Sequence, residues 1–365
     1  MFVALRDLKY ARGRFVVMSV VIVLITFLVT FLASLTSGLA RESTSAVTQL
    51  PADRVAFSMP GEDDSPEFTA SRVEPDQWAD WADAPGVEAA DPLGVATTRA
   101  EGATTTSVTA LGVDDGSPLV PWNSGDLEPG TVVLTPAAAE ALATQVGDAV
   151  NLGASELTIA EIVDVEQSLS HTPVVWITLD DWQAIGAHGA DSGADGPAAT
   201  VIALTTSGMD DAAIADIDDR LGTTTVTTTD ARSAVPAFAG ENTSLTIMQA
   251  FLLVISALVV GAFFTVWTIS RSGDIAVLKA LGASTGYLLR DALGQAALLL
   301  IGGVAVGTGF TIAGVWLLPA EVPVVVTTGT TLLPAAGLIA LGLVGAGVSV
   351  ARITRIDPHA ALAAR

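Results

Sequence analysis

Four long apolar runs constrain this 365-residue chain more than any other feature: Phe15 to about Thr36, Leu245–Ser270, Ala292–Leu318 and Leu332–Val350. Each is long enough to cross a hydrocarbon core of ~30 Å as a helix. A helix also satisfies its own backbone hydrogen bonds, as that core demands. A cleavable secretory signal is the rival reading of the first run, with Gly38-Leu39-Ala40 as the cleavage site. Its apolar region exceeds the ~7–15 residues usual in a signal, so a retained anchor is expected. The four runs account for a mean hydropathy of +0.56.

Between the first and second runs lies a stretch of different character. Residues 42–241 hold 34 of the 39 acids and only five of the 16 lysines and arginines, which concentrates the net charge of −23 there. That sign disfavours nucleic acid as a partner. Cysteine is absent, so this region folds on its own core, without disulfides or a thiolate metal site. Arg54–Met59, Thr104–Val113, Thr131–Leu134, Ala149–Leu152, Leu157–Val165, Pro173–Leu179 and Ala199–Leu204 read as strands. Pro136–Val146 and Met209–Leu221 read as helices. Pro60–Pro66 and Ala187–Pro197 read as Gly-, Asp- and Pro-rich loops. The expected fold is membrane α-helical, with four transmembrane helices and an extracytoplasmic α+β domain of one or two lobes between helices 1 and 2.

Basic residues orient the chain. Arg6, Lys9, Arg12, Arg14, Arg271, Lys279, Arg290, Arg352, Arg355 and Arg365 fall on one side of the four runs, and loop 319–331 on the other has none. Both termini are therefore expected in the cytoplasm. The division is then 1–14 cytoplasmic amphipathic helix, 15–40 helix 1, 41–240 outer domain, 241–270 helix 2 and 271–290 cytoplasmic helix and loop. Residues 291–318 are helix 3, 319–331 an outer loop, 332–350 helix 4 and 351–365 a cytoplasmic C-terminal helix. In the cytoplasmic loop, a helix from Gly273 places Ile275, Leu278 and Leu281 on one face, with Asp274 and Lys279 towards the other. Gly282-Ala283-Ser284 then ends it. Gly303-x-x-x-Gly307 on helix 3 permits close helix contact, within one subunit or across a dimer seam.

No P-loop, H-E-x-x-H, G-x-S-x-G or EF-hand pattern occurs, so no catalytic residue is assigned. His171, His188 and His359 are scattered and read as surface or loop residues. Glu62-Asp63-Asp64 and Asp216-x-Asp218-Asp219 read as solvated acidic faces. Where the second run leaves the membrane, Glu241 and Met248 are seven residues apart, on one helix face if the helix begins before Leu245. Phe251 and Ile255 continue that stripe, and Phe27 and Phe31 on the first run stand at similar depth. A thioether and a carboxylate among aromatics suit a flat, apolar, iron-bearing ligand such as haem. Seven residues rise about 10 Å, so one helix cannot put both on one iron, whereas a dimer could supply one from each chain. Ordinary packing by Met248 and a solvated Glu241 is the alternative.

Three segments carry a family resemblance. VVLTPAAAEALATQVGDAVNLGASELTIAEIVDV in the outer domain, IAVLKALGAS after a transmembrane run, and the ending ITRIDPHAALAAR resemble, in that order, the MacB/FtsX-like ABC transporter permeases. The opening FVALRDLKYARGRFVVM is most similar to the haem-exporter (HrtB/DevC-type) branch. The resemblance implies a homodimeric permease in the plasma membrane bilayer, bound by two copies of an ABC ATPase that holds ATP and Mg²⁺. Asp274, Ile275, Leu278, Lys279, Leu281, Gly282 and Ala283 would couple to that ATPase. No intrinsic cofactor is expected, and haem would be substrate. Export of lipophilic drugs, peptides or lipoproteins remains open. So does signal transmission to a cell-wall hydrolase, which predicts no intramembrane cavity and a dedicated outer partner.

Overall fold

The computed structural model describes residues 12–61, 64–121, 127–186, 198–270, 273, 277, 281–282, 284–319 and 322–354. They divide into two compact units, one of residues 39–242 and one built from the described residues on either side. Helix α1 (Arg12–Thr48) continues well past the end of its apolar run.

In the unit 39–242 the strands are β1 (Arg54–Phe57), β2 (Val87–Glu101), β3 (Thr105–Val113), β4 (Thr131–Leu134), β5 (Ala149–Leu152), β6 (Ser155–Ile162), β7 (Ser168–Leu169), β8 (Thr172–Thr178), β9 (Val201–Thr206) and β10 (Thr224–Thr227). They lie in the order β10-β1-β9-β2-β3-β8-β4-β6-β5, with β7 on β8. The pairs β3–β8 and β4–β6 are parallel. The long β2 pairs first with β9, then with β3, and finally meets β5 at Ala100 and Glu101. Six strands, β2-β3-β8-β4-β6-β5, therefore close on themselves.

Strands such as TVVL and TPVVWIT are apolar without alternation because both sheet faces are buried. One core takes Ala56, Val132, Leu134, Val175, Ile177, Ile202 and Leu204. The residues between them, Val55, Phe57, Val133, Val174, Trp176, Val201 and Ala203, enter a second core. Helices α2 (Pro75–Ala82), α3 (Pro136–Leu142), α4 (Leu179–Ala184) and α5 (Asp211–Leu221) supply Trp81, Leu142, Trp182, Ile214 and Ile217 to the first. Ala46 and Val47 from the end of α1, with Val235 and Phe238, help fill the second. Of the one or two lobes left open by the sequence, the strands form one sheet with a core on each face.

Several boundaries differ from expectation for identifiable reasons. The helix expected over Pro136–Val146 stops at Leu142, since Ala143 adopts a left-handed conformation with φ 51°. α5 begins after Asp210, whose carboxylate caps Ala213 N–H at 2.8 Å, and ends at Gly222, φ 64°. The strands β2, β7 and β10 and the helices α2 and α4 were not anticipated. Of the two expected loops, Glu62, Asp63 and residues 187–197 lie outside the described residues.

The other unit contains α1 up to Gly38 and α6 (Pro236–Ser270) from Thr243, together with α7 (Thr285–Val315) and α8 (Thr328–Thr354). All four helices are long and apolar enough to cross a membrane. Met18, Ile22, Val29, Val260, Phe264, Leu300, Val304 and Leu338 form its core. Small residues bring backbones together, as expected where lipid offers apolar side chains no advantage over each other. A Cβ on Gly303 would stand 2.6 Å from Ile22 Cγ2, and one on Gly307 2.6 Å from Thr26 Cβ. The Gly303-x-x-x-Gly307 face is thus occupied within the subunit. Gly345 meets Gly261 in the same way, and Ser349 Oγ donates to the Gly261 carbonyl at 2.8 Å. Hydroxyls add Thr30 Oγ1 to Thr311 Oγ1 at 2.6 Å. The expected terminal amphipathic helices, 1–14 and 351–365, fall largely outside the described residues.

Candidate functional site

The first candidate lies within the unit 39–242, on the parts of α1 and α6 that belong to it. β7 and β8 are joined by Ser170 and His171, with φ of 50° and 61°. Two consecutive left-handed residues match the right-handed twist of a two-residue hairpin. His171 Nε2 lies 3.0 Å from Glu241 Oε1 and 3.1 Å from Oε2, at the start of α6. Its Nδ1 lies 3.5 Å from Glu42 on α1, and Ser43 Oγ is 2.9 Å from Nε2. Ser45 Oγ accepts from Ser168 N–H at 2.8 Å, and Arg41 pairs with Glu166 at 2.8 Å. Within this unit, one hairpin therefore makes polar contacts to the segments of both α1 and α6 that belong to it. The cluster is half-exposed, so each ion pair contributes modestly; its value is positional. Among the described residues no group of His, Asp or Glu is arranged to hold a metal ion.

Sequence reasoning singled out Glu241 as a candidate iron ligand and read His171 as an ordinary loop residue; Glu42 drew no attention. The structure brings these three together, although 129 residues separate Glu42 from His171 and 70 separate His171 from Glu241. The Ser-His turn carries none of the Asn-Gly signal that marks such hairpins, which is why the cluster was missed.

The second candidate is a face of α6. Since that helix begins at Pro236, Glu241 lies within it. Met248, Phe251 and Ile255 are 55, 65 and 52% exposed, and Ile247, Val254 and Leu258 beside them are also exposed. This is a broad apolar stripe that the described residues leave uncovered. Beside it Gln249 Nε2 donates to Thr36 Oγ1 of α1 at 3.2 Å, so α1 flanks the stripe. Phe27 and Phe31 stack at 5.7 Å between centroids on α1. Phe27 also lies 3.7 Å from the position a Cβ on Gly314 of α7 would take.

The third candidate is the loop between α6 and α7. Gly273 and Val277 are helical, Leu281 N–H donates to the Val277 carbonyl at 3.0 Å, and Gly282 has φ 94°. Glycine is required there because that region strains any side chain. Ser284 then caps α7, its Oγ accepting from Tyr287 N–H at 3.2 Å. Val277 and Leu281, one turn apart, are 57 and 80% exposed. Asp274, Ile275, Leu278, Lys279 and Ala283 lie outside the described residues.

Comparison with known proteins agrees with this architecture. A family model for the MacB-like periplasmic core domain matches residues 15–220, and one for the FtsX-like permease C-terminal matches residues 246–358. An uncharacterised ABC transporter permease of Mycobacterium bovis is 27% identical over 361 residues, 98% of each chain. The putative hemin transport system permease protein HrtB of Staphylococcus epidermidis is 30% identical over 141 residues, 39% of this chain and 40% of that relative. The chain thus matches well under half the length of that curated relative. Among solved structures, the extracellular domain of the noncanonic ABC-type transporter YknZ from Gram-positive bacteria is similar over 47% of this chain and 97% of that one. Its TM-score is 0.33, at 14% identity.

Proposed function

The chain belongs to the MacB/FtsX-type ABC transporter permeases, and we propose that it is the membrane half of a homodimeric exporter that moves haem outward. Family membership implies a separate ATPase subunit, which would hold ATP and Mg²⁺. In this reading both termini are cytoplasmic, and two ATPases bind one permease dimer. The uncovered stripe on α6 carries the proposal: six large apolar side chains, Met248 among them, on the helix that leads into the outer domain. Two copies meeting at α1 and α6 would enclose a lipid-accessible, aromatic site. There Met248 would supply a thioether to the iron, and Phe251, Phe27 and Phe31 flat apolar contact.

Glu241, whose spacing from Met248 makes it a second candidate iron ligand, is given another part in this reading. Held by His171, its carboxylate belongs to the clamp, and binding iron would require it to leave. Movement of α6 driven from the ATPase side would then be felt by the outer domain through Glu241, His171 and Glu42. Val277 and Leu281 present an apolar turn for the ATPase to grip, flanked in sequence by Asp274, Ile275, Leu278, Lys279, Gly282 and Ala283. Haem as cargo is supported by the aromatic, thioether-bearing stripe and by the partial likeness to a named hemin permease. A lipophilic drug or peptide is the second reading, since a uniformly apolar stripe would accommodate either. The test is ATP hydrolysis by the purified permease–ATPase complex in nanodiscs. Haemin is expected to stimulate it several-fold, and Leu281→Asp to abolish the stimulation. Failure of haemin, with stimulation by a lipophilic drug or peptide, would replace the cargo and leave the permease reading intact.

A further inference from the structure

A separate cavity of about 440 Å³ lies within the outer domain, lined by Phe68, Arg72, Val95, Thr97, Leu169, Ser170 and Val235 among others. Its volume is in the range that holds small-molecule ligands. We propose that it binds a small organic acid, an apolar body bearing one carboxylate, through the guanidinium of Arg72.

The first observation is charge. Residues 42–241 carry 34 acids and five arginines, so an arginine there should find a partner readily. Arg54 pairs with Asp211 and Arg99 with Glu101. Arg220 and Arg232 donate to backbone carbonyls, and Arg232 also lies over the Phe238 ring. The Arg72 side chain, among the described residues, makes no ion pair or hydrogen bond, and its Nε is shielded from solvent without a partner. A guanidinium left without an acceptor costs free energy, which a carboxylate on its terminal nitrogens would offset. The second observation is that, among the described residues, no carboxylate lines the cavity. It is a positive, partly apolar pocket inside a strongly acidic domain.

The third observation is preorganisation. Arg72 N–H donates to the Ser58 carbonyl at 3.0 Å, and next to it Val73 bridges to Ala199. Ser71 Oγ accepts from Ser58 N–H at 3.0 Å and donates to the Thr200 carbonyl at 2.7 Å. The backbone at Arg72 is therefore held before any ligand arrives, which reduces the ordering cost of binding. A guanidinium takes a carboxylate through two parallel N–H donors. Phe68, Val95, Leu169 and Val235 offer apolar surface to the rest of the molecule, and the Ser170 hydroxyl, which makes no hydrogen bond among the described residues, adds a donor.

This site is independent of the cargo of the membrane stripe. Its test is ligand-observed NMR on the full chain in nanodiscs, with N-acetyl-L-phenylalanine and its uncharged amide as probes and empty nanodiscs as the blank. The acid is expected to bind saturably, and the amide at least tenfold more weakly. Arg72→Gln should bring the acid down to the level of the amide with the thermal transition unchanged. Equal binding of acid and amide by the wild type, or no saturable binding of the acid at millimolar concentration, would overturn the proposal without recourse to any variant.

Discussion

Trp182 is fully buried above a pair of glycines that face each other across β2 and β3, Gly94 opposite Gly112. A Cβ at either position would collide with the indole or its Cβ. Gly112→Ala is expected to destabilise the outer domain by ~1–3 kcal/mol, as overpacking does, read as a lowered unfolding transition. Trp182→Leu in the same chain should cost less than the sum of the two single changes. Electrostatics makes a second prediction at this scale. Burial, followed by the negative charge of Asp180, raises the Asp114 carboxyl above its ordinary value. Asp91 and Asp218 are raised as well, chiefly by burial. A carboxyl raised in the folded state binds its proton more tightly than when unfolded. Its stabilising contribution is therefore present below the ordinary carboxylate pKa and lost as pH rises through the folded value. Asp114→Asn should raise the transition temperature at pH 7, within about 0.5 kcal/mol for a half-exposed group, and the gain should vanish near pH 4. Neither the glycine seat nor these shifts was legible in the sequence, because both depend on neighbours brought in by the sheet. The glycine at the end of the helical turn between α6 and α7 was legible, since Gly282 follows a local rule and adopts φ 94°.

At the scale of elements, what was readable depended on composition. β4 and most of β8 were placed correctly because TVVL and PVVWIT are rich in β-branched and aromatic residues, and β5 because Val150 and Leu152 alternate with Ala149 and Asn151. β2 was missed because VEAADPLGVATTRAE holds Asp91, Pro92, Gly94 and several alanines, all poor in strands. It is a strand because partners on both sides, β9 and β3, hold it there. α1 outran its apolar segment because its last turns are buried by the outer domain rather than by lipid, with Ala46 and Val47 almost wholly inaccessible. The Gly303-x-x-x-Gly307 face could not be assigned from sequence, since small residues suit contacts within or between subunits equally. With Ile22 and Thr26 already seated on it, Gly307→Leu should weaken the helix bundle and lower the transition of the detergent-solubilised protein. Gly309→Leu, two positions on and facing open space, should leave it unchanged. Equal effects would contradict this packing.

On the scale of the whole molecule, the four apolar helices and the domain between them were legible because lipid imposes length and composition on any helix that crosses it. The candidate site was legible only in part. Periodicity placed Met248, Phe251 and Ile255 on one stripe, and the structure leaves that stripe uncovered. It also ties Glu241 to His171, a pairing no local pattern announces. In the proposed reading, force from an ATPase at Val277 and Leu281 would travel along α6 to Glu241. Glu241→Gln is therefore expected to weaken coupling between ATP hydrolysis and transport, measured as haem moved per ATP, with less effect on haem affinity than Met248→Ala. The measurement closest to the central claim is an optical titration of the purified permease in nanodiscs with haemin, wild type against Met248→Ala. The account predicts a saturable Soret shift at one haem per dimer, weakened at least tenfold by the substitution. A wild type with no saturable shift, or a variant that binds haemin as the wild type does, would contradict it.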